Sequence, residues 1–163
     1  MSDINNRRDK INYYLDIAET VAERSTCLKR RYGSVIVKNN VIVSSGYNGS
    51  PRGMLSCIDT RKCNREAAER GTDYSYCPAV HSEVNAILQA GRERTLGADL
   101  YLVGYDLSSS EYVENSSSCT NCRRVIINAG IEKVFIRINE MKYKEVNVKN
   151  DWANDLNNIL GGY

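Results

Sequence analysis

Histidine is almost absent from this sequence: His81 is the only one among 163 residues. Since imidazole is the side chain whose ordinary pKa lies nearest neutrality, any proton transfer by histidine is confined to this position. Three interpretations of His81 are open at this point. It can be a proton shuttle, a metal ligand, or a core residue whose ring nitrogens are satisfied by hydrogen bonds.

Long apolar runs and a strong charge imbalance are also missing. No apolar run approaches the roughly 18 residues that suggest a membrane span, so we expect no membrane partner. The net charge of +2 gives no indication of a nucleic-acid-binding surface. The segment MSDINNRRDK is polar and lacks the apolar part of a secretory signal, which predicts a cytoplasmic protein. The length fits a single domain over residues 1–163.

Cysteine, by contrast, is plentiful for a chain expected in the cytoplasm. In a reducing compartment thiols bind metals more often than they form disulfides, so metal binding is the stronger interpretation. Three disulfides are the rival interpretation for a secreted chain. The six cysteines are Cys27, Cys57, Cys63, Cys77, Cys119 and Cys122.

Apolar periodicity predicts a helix and a hairpin in the first part of the chain. Residues 11–25 carry apolar side chains at the 3–4 spacing of an amphipathic helix. Two short Val/Ile runs flank Asn39 and Asn40, which predicts a hairpin. Residues 46–53 are rich in glycine and predict a loop. Residues 50–80 have little periodicity and hold three cysteines, which predicts a Cys-rich loop insertion that is functional or tied down.

The second half predicts helices that alternate with buried strands. Residues 81–93 predict a helix with Val84, Ile87 and Leu88 on one side. The remaining elements are a strand over 98–106, a helix through Ile127 with Gly130 as its C-cap, a strand over Lys133–Arg137 and a short closing helix within 151–160. This order favours the α/β class, as a three-layer α/β/α sandwich with a mixed central sheet of about five strands.

Cys119 and Cys122 form a C-x-x-C pair, a common spacing of metal ligands. The preceding serines, residues 116–118, can cap a helix that starts near Cys119. Thiolates are favoured at such a helix N-terminus, where backbone N–H groups and the helix dipole stabilise negative charge. For this motif alone, a redox pair or two small buried residues remain alternatives.

His81 adds a third potential ligand, and Glu83 adds a potential base. Three protein ligands with an open fourth position are the pattern of a catalytic zinc site. At the tip of a helix, His81 and Glu83 can both point outward from the end, although a first-turn glutamate favoured by the helix dipole is the alternative for Glu83. The combination of H-x-E with C-x-x-C marks zinc deaminases of nucleobases, here with Ser118 in place of the usual proline before Cys119.

Several segments resemble, in the same order, the deoxycytidylate (dCMP) deaminases of the zinc-dependent cytidine/deoxycytidylate deaminase superfamily. They cover roughly residues 10–138 and read AERSTC, GSVIVKNNVIVSSGYNGSPRG, HSEVNAI, ADLYLVG and CTNCRRVIINAGIEKV. The resemblance implies a cytidine deaminase-like fold. It also implies zinc-dependent hydrolysis of dCMP to dUMP and ammonia, with Glu83 as the base, which would feed thymidylate synthesis. Such enzymes are typically homo-hexamers that dCTP, with Mg²⁺, activates and dTTP inhibits.

The resemblance also implies contacts beyond the metal site. Asn48 would hydrogen-bond the substrate, and Tyr47 and Gly49 would contribute to the substrate or effector site, although turn chemistry also explains these residue types. Arg92 would meet a phosphate or a neighbouring subunit, with a solvated helix charge as the alternative.

The four cysteines outside the C-x-x-C pair receive a role through the same resemblance. Some dCMP deaminases carry a second, structural zinc whose ligands lie at positions matched by Cys27 and Cys57, and Cys63 and Cys77 fall where two more would come. A closed Cys₄ zinc would offset the entropy of ordering the loop. Scattered buried thiols are the alternative. For the whole protein, the alternatives are a deaminase of another cytosine nucleoside, nucleotide or tRNA base, and a non-catalytic structural zinc protein.

Overall fold

The computed structural model describes residues 6–69, 72 and 74–155, which form a sheet with helices on both faces. The strands are β1 (Arg30–Lys38), β2 (Val41–Tyr47), β3 (Asp99–Asp106), β4 (Glu111–Tyr112), β5 (Lys133–Arg137) and β6 (Tyr143–Asn147). The helices are α1 (Lys10–Ala22), α2 (Cys57–Thr60), α3 (Ser82–Ala90), α4 (Arg92–Thr95) and α5 (Thr120–Asn128), with a 3₁₀ turn at Tyr74–Tyr76 and a π-helical turn at Val148–Ala153. Within these described ranges, no helix is long and apolar enough to cross a membrane.

The sheet is mixed, as predicted. Its strands follow the order β2-β1-β3-β5-β6, and the short β4 pairs with the end of β3. Strands β3 and β5 are parallel, whereas the other described pairs are antiparallel. The sequence pattern does not predict β4 or β6. Strand β6 lies at an edge and buries only Val146 among its described residues, so its sequence shows no clear two-residue alternation.

The central strands bury side chains on both faces, which confirms the three-layer architecture. Val35 and Val37 of β1 pack in a cluster with Leu15 of α1. Ile36, between them in sequence, belongs to the opposite core together with Ile87 of α3. Because successive side chains of a strand point to opposite faces, a strand covered on both sides is a continuous apolar run in the sequence.

Local turn signals act where the sequence places them. Asn39 and Asn40 adopt φ angles of 52° and 63°, the left-handed conformation that a two-residue hairpin turn requires. Asp9 caps α1 by accepting a hydrogen bond from the backbone nitrogen of Asn12 at 3.0 Å. The C-cap of α5 is Ala129 rather than the predicted Gly130, which follows it directly and ends the helix with a φ of 74°.

The predicted apolar side of α3 is wrong in part. Leu88 is 73% exposed and Val84 is only half-buried, while Ile87 is buried. Ala86 and Ala90 complete the buried face. Small side chains face the sheet because helix and strand approach each other closely there.

The C-terminal part of the described chain also differs from its prediction. The helix expected within residues 151–160 is replaced by the π-helical turn, which starts earlier, and residues 156–160 lie outside the described residues. Trp152 of this turn is buried, and the guanidinium carbon of Arg123 lies 5.0 Å from the centre of its ring. This turn therefore packs against α5.

Candidate metal centre and active site

Two helix N-termini meet at the three side chains predicted to bind metal. His81 Nδ1 lies 3.5 Å from Cys119 Sγ and 3.3 Å from Cys122 Sγ. All three potential ligand atoms lie within 4.8 Å of one another. The structure therefore brings together one imidazole nitrogen and two sulfurs that are 38 to 41 residues apart in sequence.

Both helices begin at one of these side chains. His81 is the N-cap of α3, with extended backbone angles of −69° and 152°, and its side chain makes no capping hydrogen bond. Cys119 is the N-cap of α5, and its sulfur accepts a hydrogen bond from the backbone nitrogen of Cys122 at 3.4 Å. The capping role predicted for the preceding serines is therefore wrong. The buried Ser118 hydroxyl has no hydrogen-bond partner within the described residues.

Gly46 lets β2 hold α3 close to the sheet. A Cβ atom at this position would lie 2.4 Å from Ala86 N and 2.5 Å from Ser82 O. Ser44, on the same strand, donates a hydrogen bond to Ala86 O at 2.8 Å. The first turns of α3, and with them His81, are therefore fixed against the sheet.

The arrangement of the three side chains attracts positive charge. A hydrogen bond with Cys119 raises the pKa of His81, burial opposes this, and the Glu83 charge assists it. The hydrogen bond between the two thiols lowers the pKa of Cys119 to about 4 and raises the pKa of Cys122. Two adjacent sulfurs resist carrying two negative charges unless a cation compensates. Zinc fits this donor set, because it prefers nitrogen and sulfur ligands and binds thiols as thiolates.

Glu83 is buried in the first turn of α3, with 4% of its surface exposed. Ser82 Oγ donates a hydrogen bond to Glu83 Oε2 at 3.2 Å. The carboxylate also contributes, by charge and by a hydrogen bond, to the raised pKa of Cys122. Because His81 precedes the helix and Glu83 lies just inside it, their two-residue spacing places both at the helix tip. A carboxylate beside these ligands is positioned to act as a base toward water.

A cavity of about 720 Å³ opens at this site. Its lining includes His81, Glu83 and Cys119, together with Asn48 and Arg30. This volume lies within the usual range of small-molecule sites, and the lining combines polar groups with apolar surface as such sites do.

Comparison with known proteins identifies the family. Residues 8–138 match the cytidine and deoxycytidylate deaminase zinc-binding region. The chain belongs to this family. It is 35% identical to the deoxycytidylate deaminase of Mycobacterium phage D29 over 132 residues, which are 78% of this chain and 94% of the phage protein. It is 36% identical over 126 residues to the deoxycytidylate deaminase of Schizosaccharomyces pombe, covering 76% of this chain but only 35% of that longer protein.

A solved structure supports the deaminase fold independently. The dCMP deaminase of cyanophage S-TIM5, in complex with dCMP and dUMP, is similar with a TM-score of 0.57 and 24% identity. The likeness covers 80% of this chain and 83% of that one. It shows that the mixed sheet and its flanking helices are those of the cytidine deaminase-like fold.

Asn48 lies in the lining of this cavity, but its amide also makes hydrogen bonds within the sheet region. Its Oδ1 accepts a hydrogen bond from Tyr32 N at 2.8 Å, and its Nδ2 donates to Arg30 O at 3.0 Å. A primary amide has a second lone pair and a second hydrogen, so Asn48 keeps the capacity to bind a further group.

The other three residues predicted to contact substrate or effector are not in the lining of the cavity. Tyr47 is 38% exposed, and Gly49 exchanges backbone hydrogen bonds with Val80. Arg92 is exposed at the surface, where its Nε donates to Asn128 O at 3.3 Å. The described arrangement therefore gives these residues no contact with the cavity.

The other four cysteines also line this cavity. Burial raises the pKa of Cys57, and charge on Cys27, Cys63 and Cys77 raises it further, so the four thiols are electrostatic neighbours. All six cysteines of the chain are free thiols, contrary to the disulfide alternative. Within the described residues, however, only the set with His81 has three potential ligand atoms within 4.8 Å of one another.

Cationic side chains in the cavity were not assigned from the sequence. Lys29, Arg30 and Arg65 belong to its lining. Arg30 Nε forms an ion pair with Asp106 Oδ2 at 3.1 Å, and the Arg65 guanidinium carbon lies 4.0 Å from the centre of the Tyr74 ring. The available signal is the basic run at residues 29–31, which becomes meaningful only once the start of β1 is placed beside the end of β3.

Proposed function

We propose that the protein converts dCMP and water to dUMP and ammonia, a reaction that would feed thymidylate synthesis. The observation that carries the proposal is the convergence of His81, Cys119 and Cys122 beside the buried Glu83, at a cavity that His81, Cys119 and Glu83 line. The similarity to a phage deoxycytidylate deaminase along nearly its whole length supports dCMP as the substrate.

The side chains of the chain divide into metal ligands and a proton carrier. His81, Cys119 and Cys122 would hold zinc, which when bound supplies the Lewis acidity that brings the pKa of a coordinated water toward neutrality. Glu83 accepts a proton from the attacking water and delivers it to N3 of the cytosine ring. Glu83 then accepts the remaining proton of the hydroxyl group added at C4 and transfers it to the amine, so that the C4–N bond breaks, ammonia leaves and the C4 carbonyl of dUMP forms.

The cations in the cavity support a nucleoside monophosphate as substrate. Lys29, Arg30 and Arg65 can donate charge-assisted hydrogen bonds to phosphate oxygens. Asn48 would use its remaining hydrogen-bonding capacity on the sugar. This arrangement predicts that dCMP is a far better substrate than deoxycytidine, which lacks the phosphate.

An ammonia-release assay across four substrates tests the substrate. The purified protein with zinc would be given dCMP, CMP, deoxycytidine and tRNA. We expect turnover of dCMP to exceed the other three. Preferred turnover of another substrate would contradict dCMP specificity and establish a different deaminase. Loss of turnover on all four, with zinc bound, would establish a non-catalytic zinc protein instead.

Replacing Glu83 by Gln tests the identity of the base. We expect the zinc content to be unchanged and kcat to fall about 10³-fold, since an amide cannot carry the proton. The matched control is Glu93→Gln, because Glu93 also lies in the first turn of a helix but is exposed. Near-normal turnover of the Glu83→Gln protein would contradict the assignment.

A second, structural zinc at Cys27, Cys57, Cys63 and Cys77 is part of the proposal. The electrostatic proximity of these thiols and their place in one cavity support it. The four thiolates would hold the metal, which would order the segment between α2 and α3.

Regulation and assembly are proposed from the family resemblance. We expect a homo-hexamer that dCTP with Mg²⁺ activates and dTTP inhibits. Tyr47 and Arg92 are exposed outside the cavity, which suits contact with an effector or a neighbouring subunit. Analytical ultracentrifugation, and the dCMP assay with each nucleotide added, would test both points. A monomer whose activity is indifferent to dCTP and dTTP would contradict them.

A further inference from the structure

Two buried serine hydroxyls form a chain that leads to the base. Ser34 of β1 and Ser82 of α3 are both 0% exposed, and their Oγ atoms lie 2.8 Å apart. Ser82 Oγ lies 3.2 Å from Glu83 Oε2 and donates to it. Burying a hydroxyl is unfavourable unless it is hydrogen-bonded, and here each hydroxyl is hydrogen-bonded to the next member of the series.

The direction of these hydrogen bonds follows from the number of protons. Ser82 has a single hydroxyl proton, and it is donated to Glu83 Oε2. Ser82 must then accept in its contact with Ser34, whose own proton is donated. The chain therefore runs from Ser34 through Ser82 to the Glu83 carboxylate.

Ser34 is the most firmly held member of this chain. Strand β1 lies between β2 and β3, and Ser34 is paired with Gly46 on one side and Leu102 on the other. It lies two residues before Ile36, on the face of β1 that packs against α3. Glu83, by contrast, has a long side chain with several rotatable bonds, and a misplaced carboxylate transfers protons poorly.

We propose that Ser82, held in place by Ser34, is a positioning residue for the reaction. It fixes one oxygen of the Glu83 carboxylate and so directs the other oxygen toward water and the substrate ring. The proposal rests on the proposed function, because it concerns the geometry of the base in that reaction.

Ser44 provides a matched control. It is also a nearly buried serine, 5% exposed, and it also ties α3 to the sheet through its hydrogen bond to Ala86 O at 2.8 Å. No hydrogen bond links it to Glu83 among those described. Replacing it by Ala removes a buried hydroxyl anchored to the same helix while leaving the chain to the base intact.

The test is a double-mutant cycle on dCMP deamination with Ser82→Ala, Ser34→Ala, the double variant and Ser44→Ala. Zinc content and the thermal unfolding midpoint are measured for each. We expect Ser82→Ala to lower kcat about tenfold, as loss of a hydrogen bond to a charged group predicts, with KM and zinc content unchanged. Ser34→Ala should lower kcat about threefold alone and add nothing in the Ser82→Ala background, because the chain is already broken.

The possible outcomes separate this inference from the proposed function. A wild-type protein that deaminates dCMP, with unaltered kcat in Ser82→Ala, overturns the positioning role alone. Additive effects of the two serines, or an equal loss of kcat in Ser44→Ala, also overturn it, since they indicate general damage to α3. If the wild type deaminates none of the substrates tested, the proposed function fails, and the positioning role fails with it.

Discussion

The two groups of thiols border one cavity but are supported by different kinds of structure. Cys119 and Cys122 stand at the start of α5, whose Ile126 shares a core cluster with residues of β3 and β5, and they approach His81 within ligand distance of a common metal. Cys57 starts the four-residue α2, and Cys77 follows a 3₁₀ turn. Two helix starts thus hold His81, Cys119 and Cys122 close together before any metal binds. We expect Cys27, Cys57, Cys63 and Cys77 to come within ligand distance of one another only when the metal binds.

The largest effect is expected from removing one of the three potential ligands that already lie close together, His81, Cys119 and Cys122. Cys122→Ala should abolish activity and remove one zinc per chain, because two remaining ligands hold zinc poorly. The second zinc should remain, since Cys27, Cys57, Cys63 and Cys77 are unchanged. Metal analysis together with the ammonia-release assay measures both effects. A variant that retains two zincs and full activity would show that Cys122 is not a ligand.

Gly46→Ala disturbs the packing of α3, whose start carries His81 and Glu83, without replacing a metal ligand. Its Cβ would meet the backbone of α3 at 2.4 Å, so strand and helix must separate. We expect the free energy of unfolding to fall by about 3 kcal/mol, with loss of activity as His81 and Glu83 move. Gly53→Ala is the control, because a Cβ there meets nothing within 4 Å and only the backbone angle is strained. Equal destabilisation of both variants, measured by urea unfolding, would contradict a special role for the close approach.

Cys57→Ser should affect only the proposed second zinc site at Cys27, Cys57, Cys63 and Cys77. We expect one zinc per chain to be lost while the other zinc and most of the activity remain. The segment between α2 and α3 should become sensitive to limited proteolysis, because its ordering depends on the metal. Val41→Ser is a surface control, since Val41 is 61% exposed on β2 and does not line the cavity that the thiols border. A Cys57→Ser protein that still binds two zincs would exclude the Cys₄ site.

The smallest effect concerns the ion pair at the end of β3. Hydrogen bonds from Ser108, assisted by Arg30, lower the pKa of Asp106 to about 2 from its ordinary 3.8. A lowered pKa in the folded state means that the stabilisation is fully present above about pH 4 and disappears as the pH falls through about 2. The stability difference between wild type and Asp106→Asn should therefore shrink across this window. Parallel urea unfolding series measure the difference, and a difference that does not change with pH would contradict the assignment.

The sequence was informative wherever a local pattern decides the structure. Strand Lys133–Arg137 has the predicted bounds, because Gly130 ends the preceding helix and an apolar run follows. His81, Cys119 and Cys122 were recognisable because their residue types and spacings match the chemistry of zinc. Neither inference needed knowledge of distant contacts.

The features that sequence reasoning missed depend on long-range packing. Ser34 and Ser82 are 48 residues apart, and nothing in either local sequence indicates that their hydroxyls meet. The sulfur of Cys119, rather than a serine, caps α5 because the cysteine itself adopts the extended N-cap conformation. The exposure of Leu88 follows from the close approach at Gly46, which favours alanines on the facing side of α3.

The start of α3 has a consequence for protein design. His81 precedes the helix in extended backbone, and Glu83 lies in the first turn. Both side chains, although two residues apart, are therefore placed at the same end of the helix. Such a unit requires two helix N-termini that face each other: one carries H-x-E and the other carries C-x-x-C. A designer could therefore graft this pair onto other scaffolds in which two helices begin side by side above a sheet, without copying the rest of the fold.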